Sequence, residues 1–380
     1  MPLKLGIPFE TAAGEKRVSM DPDTLSQLTK LGIKVFIQKN AGDSAYFYDD
    51  SFKEAIIVED IEELSKISDV IWRVQAPTAK EVELMNEGSV LIGTLMIHDN
   101  ISILKALEKK KINSYSMELL PDIARAQAMN TIASQAAVTG YKATIMAADL
   151  APKFFPMLTT LAGTMRPAKV VVIGAGIAGL QAIATARRLG ANVEAYDVRP
   201  ETKEQIESLG AKAITLGVSV VNDDGFAHEL SVNEKHQQQQ ELADIVSQTD
   251  VLITTASRQA KSAPKIIHQK TVEMMRPGSV IVDIAADNGG NCSLTKPGKT
   301  ITHRGVIIHG PLNVASQTAM HASQMYAKNL FNFMRLVIDD NSEYVPNFED
   351  EIVIGALLTK DGEIMHEETL ELLNRTLEER

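Results

Sequence analysis

One segment constrains this chain more than any other: AKVVVIGAGIAGLQAIATARRLGANVEAYDVR, which begins at Ala168 and ends at Arg199. It runs apolar strand, glycine turn, helix, second strand and acid. Val170 to Ile173 reads as a buried strand that delivers the chain to a turn. Gly174 permits that turn, Gly176 has no side chain to keep backbone from a pyrophosphate, and Gly179 lets the following helix pack on the strand. The helix opens at Ile177 and Ala178, where free N–H groups and the positive dipole end suit phosphate oxygens. Asp197 lies about 20 residues beyond the glycines, where a carboxylate accepts ribose hydroxyls and repels a 2′-phosphate. This favours NAD(H) over NADP(H), although Arg199 two residues on is a residue type that accommodates that phosphate. FAD is the competing cofactor, but the motif lies mid-chain after a complete α/β region, which suits a two-domain dehydrogenase better.

Around this segment the chain alternates strands and helices. KLGIP, IKVFIQ, SDVIWRV, SVLIGTL and INSYSME read as strands, with EELSKI and ISILKALEKKK as helices between them. Asp21-Pro22 opens an earlier helix, with Asp21 as N-cap and Gly32 as its stop. A long Ala- and Met-rich helix is predicted from Ile123 to about Asp149, followed by a loop LTTLAGTMRP. A second alternating series follows: KVVVIG, NVEAYDV, KAITL, DVLITTA, SVIVDIA and GVIIHG. A helix from about Ser316 to Asp339 leads into DEIVIGALLTKDGEIM, read as a hairpin around Asp361-Gly362, and then a short helix. Alternation of this kind implies parallel sheets with crossover helices. The fold class is therefore α/β, two Rossmann-like parallel-sheet domains with a cofactor cleft between them. The first domain is discontinuous, residues 1–133 plus 316–380, and the Rossmann domain is 134–315. The strand-end loops Thr255-Ala256-Ser257 and Asn288-Gly289 are further cofactor candidates, because ligands lie beyond the carboxyl ends of strands in open α/β sheets. The polar stretch 217–240 breaks the rhythm and reads as a surface loop or a mobile lid.

Other function classes fall away on composition. The net charge of −11 argues against a nucleic-acid binder, which needs a basic face. No apolar run reaches the roughly 18 residues of a membrane span, and no signal peptide is read at the N-terminus. The single cysteine, Cys292, allows no intrachain disulfide and reads as a structural thiol. With no HExxH or CxxC spacing, no metal is expected. The expected location is the cytoplasm.

GIPFE, EKRVSMDP, ARAQAM, FFPMLTTLAGTMRPAKVVVIGAGIAGLQAIATARRLGA, YDVRPETKEQIESLGA and PGSVIVDIAADNGGNCSLTKPG together resemble the NAD(H)-binding component of the proton-translocating NAD(P) transhydrogenases. The likeness covers almost the whole chain. It implies hydride exchange between NAD(H) here and NADP(H) on a partner component, coupled to proton movement by a separate membrane-spanning component. It also implies a homodimer held at the inner membrane through its partner subunits. Carried over by position, the adenosine and pyrophosphate contacts fall on Ile177, Ala178, Gly179, Asp197, Val198 and Arg199. The lid contacts fall on Gly225 and Gln238, and the strand-end contact on Ser257. The nicotinamide-side residues are Gln127, Arg125 and Asn130.

That nicotinamide-side loop departs from the family pattern. It reads PDIARAQAMNTIA, with Asp122 for the family's first arginine, Asn130 for its aspartate and Ala133 for its serine. Phe226 replaces the lid tyrosine. Hydride transfer between nicotinamides needs alignment and water exclusion, not an acid or base, and Asn130 can still hydrogen-bond a carboxamide. The alternatives are an NAD(H)-sensing or catalytically impaired paralogue and an alanine-dehydrogenase-like enzyme. The last would use Arg17 and Arg73 as cations for a substrate carboxylate, but it lacks the lysine and histidine expected near Arg73 and Met96. His98 reads as solvent-facing and Trp72 as core.

Overall fold

The computed structural model describes residues 2–98, 100–217, 231–256 and 262–378. The chain divides into two compact units, Met1–Gln135 with Ser316–Arg380, and Ala136–Ala315.

The first unit is built on an eight-stranded sheet. In spatial order its strands are Glu363–Ile364, Leu357–Lys360, Asn113–Ser116, Val90–Gly93, Val70–Arg73, Lys4–Ile7, Lys34–Gln38 and Ile56–Val58. The six N-terminal strands are parallel, and Leu357–Lys360 joins them antiparallel. Numbered along the chain, those six take the doubly wound order 3-2-1-4-5-6. The helix Pro22–Lys30 starts where the sequence requires: Asp21 accepts from the N–H groups of Asp23 and Thr24, and Pro22 occupies the first turn. Trp72, Tyr326 and Phe333 are fully buried in the core.

The second unit repeats that order. Its strands are Lys212–Ala213, Asn192–Tyr196, Lys169–Ile173, Val251–Thr254, Val280–Asp283, Val306–His309 and Thr300–His303, all parallel except the last. Both faces of this sheet are covered, which explains the uninterrupted apolar runs. Val170, Val172, Val251 and Ile253 face one layer with Ala182, Ile183 and Ala186, while Val171, Ile173, Leu252 and Ile281 face another with Val246 and Val272. Each fully buried side chain of this kind stabilises the sheet by roughly 1.5–3 kcal/mol.

Four local expectations are corrected. The long helix predicted from Ile123 begins only at Thr131, running Thr131–Leu150, because Asn130 is extended and its Oδ1 accepts from the Ala133 N–H at 2.8 Å as a cap; Ala124–Met129 form a short 3-10 helix instead. The predicted loop LTTLAGTMRP contains a hairpin, Leu158–Thr160 against Gly163–Met165, turning at Gly163 with φ +122°. KAITL contributes only Lys212–Ala213 to the sheet. The start of DEIVIGALL is a helix, Glu351–Ala356, capped by Asp350 on the Ile352 N–H. The hairpin predicted beyond it is present, with positive φ at Asp361 and Gly362.

Candidate functional site

The doubly wound order of the second unit reverses between Lys169–Ile173 and Val251–Thr254, and the crevice at such a point is where dinucleotides bind. Gly174 leaves the first of these strands with φ +95° and donates its N–H to the Tyr196 carbonyl at 2.8 Å. Thr255, at the end of the second, donates its hydroxyl to the Gly174 carbonyl at 3.0 Å. A Cβ on Gly179 would lie 1.8 Å from that same carbonyl oxygen, so only glycine lets the helix Ile177–Arg188 start so close to the strand. A Cβ on Gly176 would meet nothing, so that backbone is open to a ligand. No side chain caps this helix, which leaves its first-turn N–H groups for phosphate oxygens.

A cavity of about 540 Å³ lies over this turn, lined among others by Gly174, Gly176, Asp197, Val198, Arg199, Thr255 and Ala256. Its size suits a nucleotide-sized ligand. Ile177 and Val198 present half-exposed apolar side chains. Asp197 is the best-anchored polar group. It accepts from the Ala175 N–H at 2.6 Å, from the Arg199 N–H at 2.9 Å, and from Arg199 Nε and Nη2 at 3.0 and 3.1 Å. Burial pushes its carboxyl up, but the Arg199 guanidinium and these two N–H groups outweigh burial and hold it below the usual carboxylate range.

The structure therefore brings Gly174, Gly176, Ile177, Ala178, Gly179, Asp197, Val198, Arg199, Thr255 and Ala256 into one region of the second unit. Gln238, on the helix Val232–Ser247, donates to the Tyr196 hydroxyl at 3.1 Å, beside Asp197 in sequence. Asn288 and Gly289 are exposed at the end of Val280–Asp283, and Gly289 has φ +92°. Gly225, Ser257 and Phe226 lie outside the described residues.

Three supporting residues escaped the sequence reading. Asn291, fully buried, accepts from the Ala256 N–H and donates to the Ala256 and Pro264 carbonyls, fixing the pocket wall. Lys265 donates to the carbonyls of Gly289 and Gly290. Gly140 lets its helix cross the first turn of Ile177–Arg188, because a Cβ there would lie 2.0 Å from the Ala178 oxygen. An isolated glycine inside a helical pattern was the available signal for that crossing.

Gln127, Arg125 and Asn130 belong to the first unit, and each has its polar end engaged there. Arg125 makes a bidentate pair with Asp350 at 2.7 Å on both arms, and the bond with Arg125 holds the Asp350 carboxyl below its usual range. Gln127 Nε2 donates to Asp122 at 2.9 Å, which supplies the partner that Asp122 lacked in the sequence. Asn130 is the helix cap already described.

At the carboxyl ends of Lys4–Ile7 and Val70–Arg73 the first unit holds a buried charge cluster. Arg17 pairs with Glu15 at 2.7 Å and donates to Gln135 at 2.9 Å. Arg73 pairs with Glu81 at 2.9 Å and with Glu10 at 3.5 Å. Burial pushes the Glu15 carboxyl up, but Arg17 outweighs it and the net value falls to about 2. Glu10 moves the other way, because burial outweighs its pairing with Arg73. The two arginines considered for a substrate carboxylate are thus committed to the protein's own glutamates. His98 and Met96 are exposed.

Comparison with known proteins agrees with this layout. The family described as "Alanine dehydrogenase/PNT, N-terminal domain" matches residues 6–139, and "Alanine dehydrogenase/PNT, C-terminal domain" matches residues 143–367. The chain is 43% identical over 376 residues to the first polypeptide of the NAD(P) transhydrogenase subunit alpha of Rhodospirillum rubrum, covering 96% of this chain and 98% of that one. It is 39% identical over 365 residues to the protein of the same name from Rickettsia prowazekii, covering 94% of each. The crystal structure of transhydrogenase from Sinorhizobium meliloti superposes with a TM-score of 0.83 at 35% identity, covering 96% of this chain and 99% of that one. Matched across both units, and similar to these relatives along nearly its whole length, the chain belongs to the alanine dehydrogenase/PNT family.

Proposed function

We propose that this chain is the NAD(H)-binding component of an NAD(P) transhydrogenase. In this reading it exchanges hydride with NADP(H) held on a partner component, while a separate membrane-spanning component couples the exchange to proton movement. The observation that carries the reading is the turn Gly174–Gly179 with Asp197 bonded to its Ala175 N–H beneath an open cavity. The residues fit a dinucleotide: the backbone at Gly176 is open and the helix behind it is uncapped. Ile177, Ala178 and Gly179 would hold the pyrophosphate, and Asp197 the adenosine ribose. Val198, Arg199, Thr255, Ala256, Gln238, Asn288 and Gly289, with Gly225 and Ser257, complete the assigned set. When bound, the dinucleotide supplies the hydride carrier. The protein's part is to orient and to exclude water, with no acid or base required.

On the nicotinamide side, Gln127, Arg125 and Asn130 are assigned positioning roles. Their engagement with Asp122, Asp350 and the Ala133 N–H is the one observation that favours the second reading, an NAD(H)-sensing or catalytically impaired module. An alanine-dehydrogenase-like activity is disfavoured by the pairing of Arg17 and Arg73 with internal glutamates.

A homodimer is part of the proposal. Phe154, Met157, Leu158, Leu161 and Met165, on and just before the Leu158–Met165 hairpin, are all exposed, a concentration of apolar surface that marks interaction sites. Sedimentation of a Leu161→Asp variant, expected to shift toward monomer, tests that face. No helix among the described residues is long and apolar enough to cross a membrane, so attachment to the inner membrane would run through partner chains.

Calorimetric titration with NADH and, separately, NADPH tests the central reading. Tighter NADH binding, followed by hydride exchange on adding an NADP(H)-binding component, supports it. Equal or tighter NADPH binding overturns the assignment to the NAD(H) side, and NADH binding without exchange moves the chain to the sensing reading.

A further inference from the structure

The carboxylate that should receive the ribose already has every acceptor position filled. A carboxylate offers about four lone-pair sites, and Asp197 accepts from the Ala175 and Arg199 N–H groups and from Arg199 Nε and Nη2. The two backbone donors are fixed by the turn, but the guanidinium is free to leave. The Arg199 side chain is 52% exposed, against 7% for Asp197. Both residues line the 540 Å³ cavity and an adjoining one of about 200 Å³, which also takes in Thr202, Lys203 and Thr215. Dinucleotide sites take the ribose 2′-OH on an acid and the 2′-phosphate on an arginine. Here one side chain of each type is present, and they are bonded to each other.

Resting on the reading of this site as a dinucleotide pocket, we propose that Arg199 sets cofactor selectivity by closing on Asp197 in the free protein and yielding either to a ribose diol or to a 2′-phosphate. A nucleotide with a free 2′,3′-diol must take the two Asp197 positions that the guanidinium holds, so Arg199 competes with it. A nucleotide with a 2′-phosphate draws Arg199 off Asp197 and pairs with it, beside the ammonium of Lys203. Asp197 alone would exclude NADP(H). With Arg199 as its counter-ion the exclusion is incomplete, and the chain binds NADH more tightly than NADPH by a modest factor.

Calorimetric titration of the full chain and an Arg199→Ala variant with NADH and with NADPH tests this. The wild type should bind NADPH measurably, within roughly 100-fold of NADH. Because exposed ion pairs are weak, removing the competitor should leave NADH affinity equal or raise it by up to about fivefold. NADPH should weaken by roughly 10- to 100-fold, the loss of charge-assisted bonds to the phosphate. Arg199→Lys, which keeps the charge but loses the planar fork, should fall between for NADPH. Arg199→Gln repeats the test should the alanine variant fail to fold. The proposal is overturned by an affinity ratio unchanged between wild type and variant, by equal losses for both nucleotides, or by wild type that binds NADH and no NADPH. Wild type that binds neither nucleotide overturns the reading of the site itself.

Discussion

At the carboxyl end of Lys169–Ile173 the chain turns through Gly174 and Gly176 into an uncapped helix beneath an open cavity. At the carboxyl end of Lys4–Ile7, in a sheet of the same strand order, it runs through Pro8 and Phe9 to Glu10, whose carboxylate is buried against Arg73. The fold is the same and the chemistry opposite. In the second unit, glycines leave backbone donors for a ligand. In the first, glutamates and arginines neutralise one another where a ligand would otherwise lie. Strand order locates the crevice, and the residues at its mouth decide whether it is a site. The comparison predicts that mutations in the first cluster change stability and leave nucleotide binding alone, whereas mutations in the second change binding and leave stability alone.

The strongest way to break the comparison is Arg73→Met. It keeps the apolar stem but leaves Glu10, 5% exposed, without its guanidinium. Removing one partner of a buried pair costs about 3–5 kcal/mol, and chemical denaturation should show a loss of that size. NADH affinity should stay within twofold. A fall in affinity at unchanged stability would make the first cluster a ligand site after all.

Glu15→Gln comes next. The Glu15 carboxyl stands at about 2 in the folded chain against 4.5 ordinarily. A depressed acid stabilises the fold above its unfolded value and loses that contribution as pH falls toward the folded one. The shift corresponds to roughly 3 kcal/mol. Wild type should exceed the variant by about that amount above pH 5, and the two should converge toward pH 2. A gap independent of pH would mean that Arg17 is held by packing and not by charge.

Asp197→Asn sharpens the other side. Asparagine keeps the size of the side chain but accepts fewer and weaker bonds, so NADH should bind roughly 10- to 100-fold more weakly, the range expected for hydrogen bonds to a charged group. Thermal stability should move by no more than a few degrees, because the carboxylate's side-chain partner, Arg199, is half exposed. A large loss of stability with unchanged affinity would reverse the roles of the two regions.

What the sequence disclosed follows the same division. Gly174, Gly176, Gly179 and Asp197 were legible because local backbone geometry demands those residue types at that spacing. Asp21, Gly32 and the Asp361-Gly362 turn were legible for the same reason. The Glu10, Glu15, Arg17 and Arg73 cluster was not, because its partners are far apart in the chain and meet only when strands Lys4–Ile7 and Val70–Arg73 pair. Asn291 was hidden in the same way, holding Ala256 across 35 residues of sequence. The late start of the Thr131–Leu150 helix turned on a single cap, Asn130, inside a stretch whose alanines and methionines all favour helix. Sequence periodicity cannot see a residue that uses its side chain to end one element and begin another.

Arg125→Ala has the smallest expected effect on the fold and is the most informative about the first unit. Arg125 is half exposed, and its bidentate pair with Asp350 ties the 3-10 turn Ala124–Met129 to the cap of Glu351–Ala356. Exposed pairs contribute about 0.2–1 kcal/mol, so denaturation should register little, and NADH affinity should be unchanged within twofold. Hydride exchange with an NADP(H)-binding component is where the residue should matter. A positioning residue holds reacting groups in line, and small misplacements cost rate and not affinity. A fall of roughly tenfold in exchange with binding intact would make the 121–130 turn the one region of the first unit that serves the reaction, apart from its neutralised crevice. Exchange that is unaltered by the substitution would place Arg125 with the glutamates and arginines, as a residue that holds the first unit together and takes no part in transfer.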